Sequence, residues 1–142
     1  MIIIDTHIIS ETQKPEPDSA VMDWLNNLDR TTTYITAITV GELLFGIDKM
    51  PKGKRQEQLN DAITAIVEQD FYGRILPYDA TAAYFYAAAA GAAMRRGLSV
   101  SFADGAIAGI ARANNLATVA TRDEAPFRAM GVTVINPWDP AF

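Results

Sequence analysis

The chain has 142 residues, of which 49% are hydrophobic, and it contains no cysteine. This length and composition predict a single folded domain over residues 1–142 and exclude wholesale disorder, disulfide bonds and zinc–thiolate sites. The net charge of −5 argues against a nucleic-acid surface built from lysine and arginine alone. Because there is no basic leader and no apolar run of ~20 residues, we expect a cytoplasmic protein with no membrane contact.

Strands and helices are expected to alternate along the chain. Five apolar or β-branched runs predict strands at residues 2–4, 33–36, 74–78, 116–121 and 132–135. Helical spacing and capping residues predict seven helices between them, at residues 6–12, 18–28, 39–47, 55–69, 79–96, 101–115 and 123–130. This alternation predicts an α/β fold with a parallel sheet between two layers of helices.

Four carboxylates fall near strand ends or helix starts. Asp5 follows the first strand, which is apolar on both faces, and Glu42 lies in the helix after the second strand. Asp104 opens the helix that leads into the fourth strand, and Asp123 follows that strand. Since ligands of open α/β sheets bind beyond the carboxyl ends of the strands, we expect all four side chains at one sheet edge.

Carboxylates that are crowded together repel one another, and a bound cation is the usual remedy. A ligand set made only of oxygen atoms suits Mg²⁺, with Mn²⁺ as a second possibility. Acidic clusters that hold one or two such ions hydrolyse phosphodiesters in other proteins. The four acids therefore predict a metal site for this chemistry.

Each acid also has a purely structural explanation. The patterns Thr39-x-x-Glu42 and Ser101-x-x-Asp104 match the capping box, in which the acid bonds the N–H of the helix cap. Asp5 and Asp123 stand where N-caps of the following helices are expected. Taken singly, each acid is better explained by capping, whereas their shared placement favours the metal site.

Several short motifs together resemble the PIN-domain toxins of the VapC type. These motifs are Ile4-Asp5-Thr6, Thr36-x-x-Thr39-x-x-Glu42-Leu43, Ala103-Asp104-x-x-Ile107-Ala108, Ala120-Thr121-Arg122-Asp123 and Asn136-Pro137-Trp138. The resemblance runs from Met1 to Trp138, and Asp123 together with the segment at residues 74–79 is similar to the FitB-like branch of the family.

This resemblance implies a Mg²⁺-dependent ribonuclease that a co-encoded antitoxin neutralises. It also implies the strand order 3-2-1-4-5, RNA as substrate, a homodimer that forms larger assemblies with the antitoxin, and DNA contact only through the antitoxin. Asp5, Glu42, Asp104 and Asp123 would be both the catalytic residues and the metal ligands.

Two positions depart from the family pattern. His7 stands where many members have asparagine, and we interpret it as a structural residue beside the site rather than as a general base. Pro126 stands where many members have their last acid, so Asp123 is expected to supply that carboxylate from one turn earlier.

Two further stretches have open interpretations. Lys49, Lys52, Lys54 and Arg55 form either a solvated basic loop or a contact to the RNA backbone. The helix at residues 84–93 is apolar nearly all round, which indicates either deep core or a subunit interface; the small residues favour the interface.

Two other function classes fit the pattern less well. The alternative function is a catalytically weak PIN-fold binding or regulatory module that works through its antitoxin or another partner. A receiver-like phosphotransfer domain also clusters acids at strand ends, but this chain lacks a suitably placed lysine after a late strand.

Overall fold

A five-stranded parallel sheet forms the middle of the protein, and the computed structural model describes all 142 residues. The strand order is β3-β2-β1-β4-β5, which confirms the predicted α/β architecture and strand order. The strands are β1 (Ile2–Ile4), β2 (Thr33–Thr36), β3 (Ile75–Leu76), β4 (Thr118–Ala120) and β5 (Val134–Ile135). Because β1 pairs with β2 on one side and β4 on the other, Asp5 follows the central strand.

Seven α-helices connect and cover the strands. They are α1 (Thr6–Thr12), α2 (Ser19–Asn26), α3 (Ala37–Asp48), α4 (Lys54–Ala65), α5 (Ala80–Arg95), α6 (Phe102–Ala113) and α7 (Glu124–Ala129). A 3₁₀ turn, Arg30–Thr32, precedes β2, and a π-helical turn, Ile66–Asp70, follows α4. None of these helices combines the length and the apolar character needed to cross a membrane.

The two faces of the sheet belong to separate hydrophobic cores. Ile3 packs into a core built mainly from α6, α7 and their neighbours, whereas Ile4 packs into a core with α1, α3 and β2. Both residues are fully buried, since successive side chains of a strand point to opposite faces. Because helices cover β1 on both sides of the sheet, this strand needs apolar residues on both of its faces.

Helix α6 packs unusually close to α5 because glycine occupies two contact positions. A Cβ atom at Gly109 would stand 2.6 Å from the carbonyl oxygen of Ala82, and one at Gly105 would stand 2.7 Å from the ring of Tyr86. Neither position therefore tolerates a side chain without movement of α5. The contact fixes the start of α6, where Asp104 lies.

Helix α5 itself is not deep core, so that interpretation of its apolar sequence is wrong. Tyr84 is 80% exposed and Met94 is 75% exposed, and only Ala82 and Ala93 of this helix are buried. The apolar residues lie on two sides of the helix, and only one side packs against the rest of the chain.

Some predicted boundaries differ from the structure for local reasons. The fourth strand begins at Thr118 rather than at residue 116, because Asn115 and Leu116 both have positive φ angles that no strand allows. The third strand ends at Leu76, before Pro77, which has no N–H to donate to a ladder. The predicted N-caps Asp79 and Ser101 are confirmed by hydrogen bonds to the backbone of Ala82 and Asp104.

Candidate active site

Asp5 is a buried carboxylate, only 2% exposed, whose two oxygens both accept hydrogen bonds. Oδ1 accepts the backbone N–H of Thr6 at 2.8 Å, which makes Asp5 the N-cap of α1. Oδ2 accepts the hydroxyl of Thr121 at 2.8 Å, from the end of the neighbouring strand β4. The capping interpretation of Asp5 is thus confirmed, and it coexists with a position at the carboxyl edge of the sheet.

Glu42 is held from the side by Thr6. Thr6 Oγ1 donates a hydrogen bond of 2.7 Å to Oε1 of Glu42 and is also hydrogen-bonded to Thr39 Oγ1 at 3.0 Å. The predicted capping box is wrong, because α3 begins three residues earlier with Thr36 as its N-cap, and the hydroxyl of Thr36 accepts the N–H of Thr39. Glu42 therefore lies in the second turn and caps nothing.

Asp104 lies in the first turn of α6, where the Ser101 hydroxyl accepts its backbone N–H at 3.2 Å. Burial raises the pKa of the Asp104 carboxyl, and the negative charge of Asp5 raises it further. The charges of Asp123 and Glu42 act in the same direction, while Ser101 acts against them. The other three acids thus all influence Asp104 at the same edge of the sheet.

Asp123 stands at the N-cap position of α7, but its side chain makes no capping hydrogen bond. Its backbone N–H donates to Thr121 Oγ1 at 3.1 Å. The hydroxyl of Thr121 therefore ties Asp123 to Asp5, since it donates to one and accepts from the other. The Asp123 carboxylate is exposed, and helix capping does not account for it.

His7 lies at the rim of these acids. Its side chain is 63% exposed, and its Nδ1 is 3.7 Å from Oδ2 of Asp5, which is the distance of an ion pair rather than of a short hydrogen bond. Polar contact with the Asp5 carboxylate raises the pKa of His7, against the opposing effect of partial burial. A protonated His7 offsets part of the negative charge of Asp5.

The donor set fits a hard divalent cation by its chemistry. The carboxylates provide oxygen atoms only, and repulsion at Asp104 is the electrostatic signature of acids that share a region. No group of three or more histidine, cysteine, aspartate or glutamate side chains lies close enough together to hold a metal ion.

Two grooves reach the acids from different sides. One, of about 310 Å³, is lined by Thr6 and Glu42 together with residues of α1, α3 and α4. The other, of about 300 Å³, is lined by Asp104, Asp123, Ser99 and Ser101. A slightly larger groove of about 330 Å³, beside α2 and the π-helical turn, contains none of the four acids.

Comparison with known proteins identifies the family. A family model of the PIN domain matches residues 2–132 of this chain. This chain belongs to the PIN-domain family. The predicted membership, including the VapC type and the FitB-like branch, is confirmed by relatives that match over nearly their whole length.

The PIN domain is 44% identical to VapC ribonuclease Y4jK of Sinorhizobium fredii over 141 residues, which are 99% of this chain and 100% of that protein. It is 41% identical to Toxin FitB of Neisseria gonorrhoeae, with coverage of 97% and 99%. The crystal structure of FitAcB from Neisseria gonorrhoeae matches with a TM-score of 0.92 at 40% identity, covering 97% of this chain and 99% of that chain.

The sequence interpretation missed one support of this PIN-domain site. Thr39 is fully buried and hydrogen-bonded to Thr6, yet it was interpreted only as a helix cap. For Thr6 and Thr121 the sequence left open a hydrogen bond to a carboxylate or to a metal-bound water, or a simple turn contact. The hydrogen bond to a carboxylate is confirmed, since Thr6 donates to Glu42 and Thr121 donates to Asp5. The available signal for Thr39 was its position just after a buried strand, where an unpaired hydroxyl would be costly.

Proposed function

We propose that this PIN domain is a metal-dependent endoribonuclease that acts as the toxin of a type II toxin–antitoxin pair. The observation that carries the proposal is the hydrogen-bond network in which Thr121 links Asp5 to Asp123 and Thr6 holds Glu42. Burial and the negative charges of the other acids, which raise the pKa of Asp104, support it. The 44% identity to a VapC ribonuclease supports the choice of substrate class.

Since no three acidic side chains lie close enough together in this structure to hold an ion, Asp5, Glu42, Asp104 and Asp123 would have to draw together to hold Mg²⁺ or Mn²⁺. When bound, such a cation supplies Lewis acidity toward the phosphate and offsets charge on the leaving oxygen. The chain's own contribution is the orientation of the acids. Two hydrogen bonds fix the carboxylate of Asp5, and the Thr6 hydroxyl restrains that of Glu42.

The close contact of α6 with α5 at Gly105 and Gly109 restrains the start of α6, which carries Asp104. A carboxylate that is already restrained loses little conformational entropy when a cation binds, which favours affinity at Asp5 and Glu42. The threonines at residues 6 and 121 are therefore positioning residues in this proposal.

The test is cleavage of single-stranded RNA by the purified chain with added Mg²⁺, with added Mn²⁺ and with a chelator. We expect cleavage that depends on the metal and that Asp104→Asn abolishes, while the control Asp48→Asn, an exposed acid at the far end of α3, cleaves normally. Cleavage that persists in the chelator, or in Asp104→Asn, contradicts the metal mechanism. Absence of cleavage by the wild type would favour the alternative of a PIN-fold binding module.

A cognate antitoxin is the proposed protein partner, and DNA would be contacted only through that antitoxin. The negative net charge supports this arrangement, since it disfavours direct binding of duplex DNA and attracts a basic protein segment.

A homodimer is proposed through the exposed side of α5. Tyr84, Ala87, Ala88, Gly91 and Met94 follow one another at helical spacing and form a stripe, which we call the α5 stripe. A Cβ atom at Gly91 would have only the Arg95 guanidinium nearby, at 3.7 Å, so no contact within the chain requires glycine there. Close approach of a second copy of the chain would explain why glycine occupies position 91.

A further inference from the structure

The groove beside Glu42 contains positive charge that the metal site does not use. Lys14 and Arg55 line it together with Thr6 and Glu42, and its remaining surface is partly apolar, from residues such as Leu43 and Leu59. Two cations in a groove shared with Glu42 are notable in a chain whose net charge is −5.

The structure separates Arg55 from the other cations of the basic stretch. Lys49 lies over the ring of Phe45, 5.5 Å from its centroid, and Lys52 and Lys54 are exposed without lining this groove. Only Arg55 of the four lines the groove. The basic stretch as a whole is therefore not a uniform surface patch.

Arg55 is also the uncompensated cation of the groove. The ammonium of Lys14 is 2.8 Å from Oε1 of Glu11, and this ion pair offsets its charge. Arg55 takes part in none of the three ion pairs of the structure. A guanidinium without an acidic partner is suited to a phosphate, which it binds through two parallel N–H donors.

We infer that Arg55 binds a backbone phosphate of the RNA strand, next to the phosphate that is cleaved, and that the groove guides the strand on the Glu42 side. This inference rests on the proposed ribonuclease function and adds a specific substrate contact to it. The acids at the sheet edge repel RNA phosphates, so a cation beside Glu42 lowers the cost of bringing the strand to them.

The experiment compares Arg55→Gln, Arg55→Lys and the matched control Lys54→Gln. Each variant is made in the wild type, for KM and kcat, and in an Asp104→Asn background, for binding of a short single-stranded RNA over a range of salt concentrations with Mg²⁺ present. Because Lys54 is adjacent in sequence but outside the groove, it reports the effect of net charge alone.

Loss of one phosphate contact predicts that Arg55→Gln weakens RNA binding about fivefold and reduces the slope of log Kd against log salt by about 0.7. KM should rise by a similar factor with kcat little changed, Arg55→Lys should keep most of the salt slope, and Lys54→Gln should behave as the parent protein.

The inference is overturned if Arg55→Gln leaves the salt slope unchanged, or if Lys54→Gln lowers it as much. It is also overturned if Arg55→Gln spares RNA binding but weakens binding of the co-encoded antitoxin, since the groove then holds a protein segment. A wild type that fails to cleave RNA but binds it through Arg55 would reject the proposed catalysis and support the contact.

Discussion

The hydroxyl of Thr121 donates a 2.8 Å hydrogen bond to Oδ2 of Asp5, although the two residues are 116 positions apart in the chain. The same hydroxyl accepts the backbone N–H of Asp123. One fully buried threonine thus connects the acid after β1 with the acid after β4, and it leaves neither oxygen of Asp5 without a donor.

Thr121→Val should therefore destabilise the fold. Valine fills the same space but removes the donor, and a buried acceptor without a partner costs about 1–3 kcal/mol. Thr121→Ser keeps the hydroxyl and serves as the control. Chemical denaturation of the three proteins measures the difference, and equal stability of the valine and serine variants would show that the hydrogen bond contributes little.

Neutralising different acids should change stability in opposite directions. Asp104→Asn should raise the melting temperature of the metal-free protein, because burial and the negative charges of its neighbours both disfavour the charged Asp104 carboxyl. Asp5→Asn should lower it, because an amide offers one acceptor oxygen where two donors, Thr6 N–H and the Thr121 hydroxyl, need partners.

Repulsion alone predicts that neutralising any of the four acids raises the melting temperature. The expectation for Asp5→Asn is the opposite. Thermal melts in a chelator check both variants. If Asp104→Asn melts below the wild type, the repulsion at Asp104 is too small to matter beside its other contacts.

Strand positions and most helix caps could be predicted because their signals are local. The run Ile2, Ile3 and Ile4 predicts a strand that is covered on both faces, and Ile3 and Ile4 are fully buried. Asp79 and Ser101 each precede a helix that they cap. The cap of α3 was misplaced because Thr36 and Thr39 carry the same local signal. Only the pairing of Thr39 with Thr6, from a distant segment, separates them.

The four acids were named as a metal site from the sequence, and that role stays a prediction, since no three such side chains lie close enough together to hold an ion. Placing four acids at one sheet edge follows from the alternation of strands and helices. The orientation of Glu42 by Thr6 and the entry of Arg55 into a groove depend on the packing of α1, α3 and α4. The hydrophobic pattern of a single helix or strand does not show how these three helices pack together.

Glu11 should make the fold sensitive to acid. Its Oε1 accepts from Lys14 and its Oε2 accepts the backbone N–H of Asp18 at 2.9 Å, so these contacts lower the pKa of the Glu11 carboxyl, with Lys14 the larger cause. A depressed folded-state pKa stabilises the fold above the unfolded pKa, and that contribution is lost as pH falls through the folded pKa.

Denaturant titrations between about pH 7 and about pH 3 should therefore show a steeper loss of stability for the wild type than for Glu11→Gln. Glu16→Gln, an exposed acid in the same connection, is the control and should follow the wild type. Identical acid profiles for all three proteins would mean that Glu11 is equally paired in the unfolded chain.

Met94→Glu should convert the proposed dimer into a monomer. The substitution places a charge in the α5 stripe, where it would lose its hydration on association. Tyr72→Glu is the control, since Tyr72 is 82% exposed in a turn away from α5. Light scattering gives the masses, and a dimeric Met94→Glu variant would exclude this face as the interface.

Gly91→Ala should separate folding from association. Alanine fits within the chain, because only the Arg95 guanidinium is near, and it favours a helix over glycine by about 1 kcal/mol. We expect a more stable monomer with weaker self-association. Thermal melts at low protein concentration and sedimentation across a concentration range measure the two effects, and tighter association would contradict close contact at Gly91.

The pairing of β1 with β4 also has a consequence during synthesis on the ribosome. Strand β1 is synthesised long before its neighbour β4, Thr118–Ala120. Until that segment emerges, one edge of Ile2–Ile4 has no partner strand and Asp5 lacks the hydroxyl of Thr121. A nascent or prematurely terminated chain therefore has an incomplete site, and its unpaired apolar strand is a surface on which aggregation can begin.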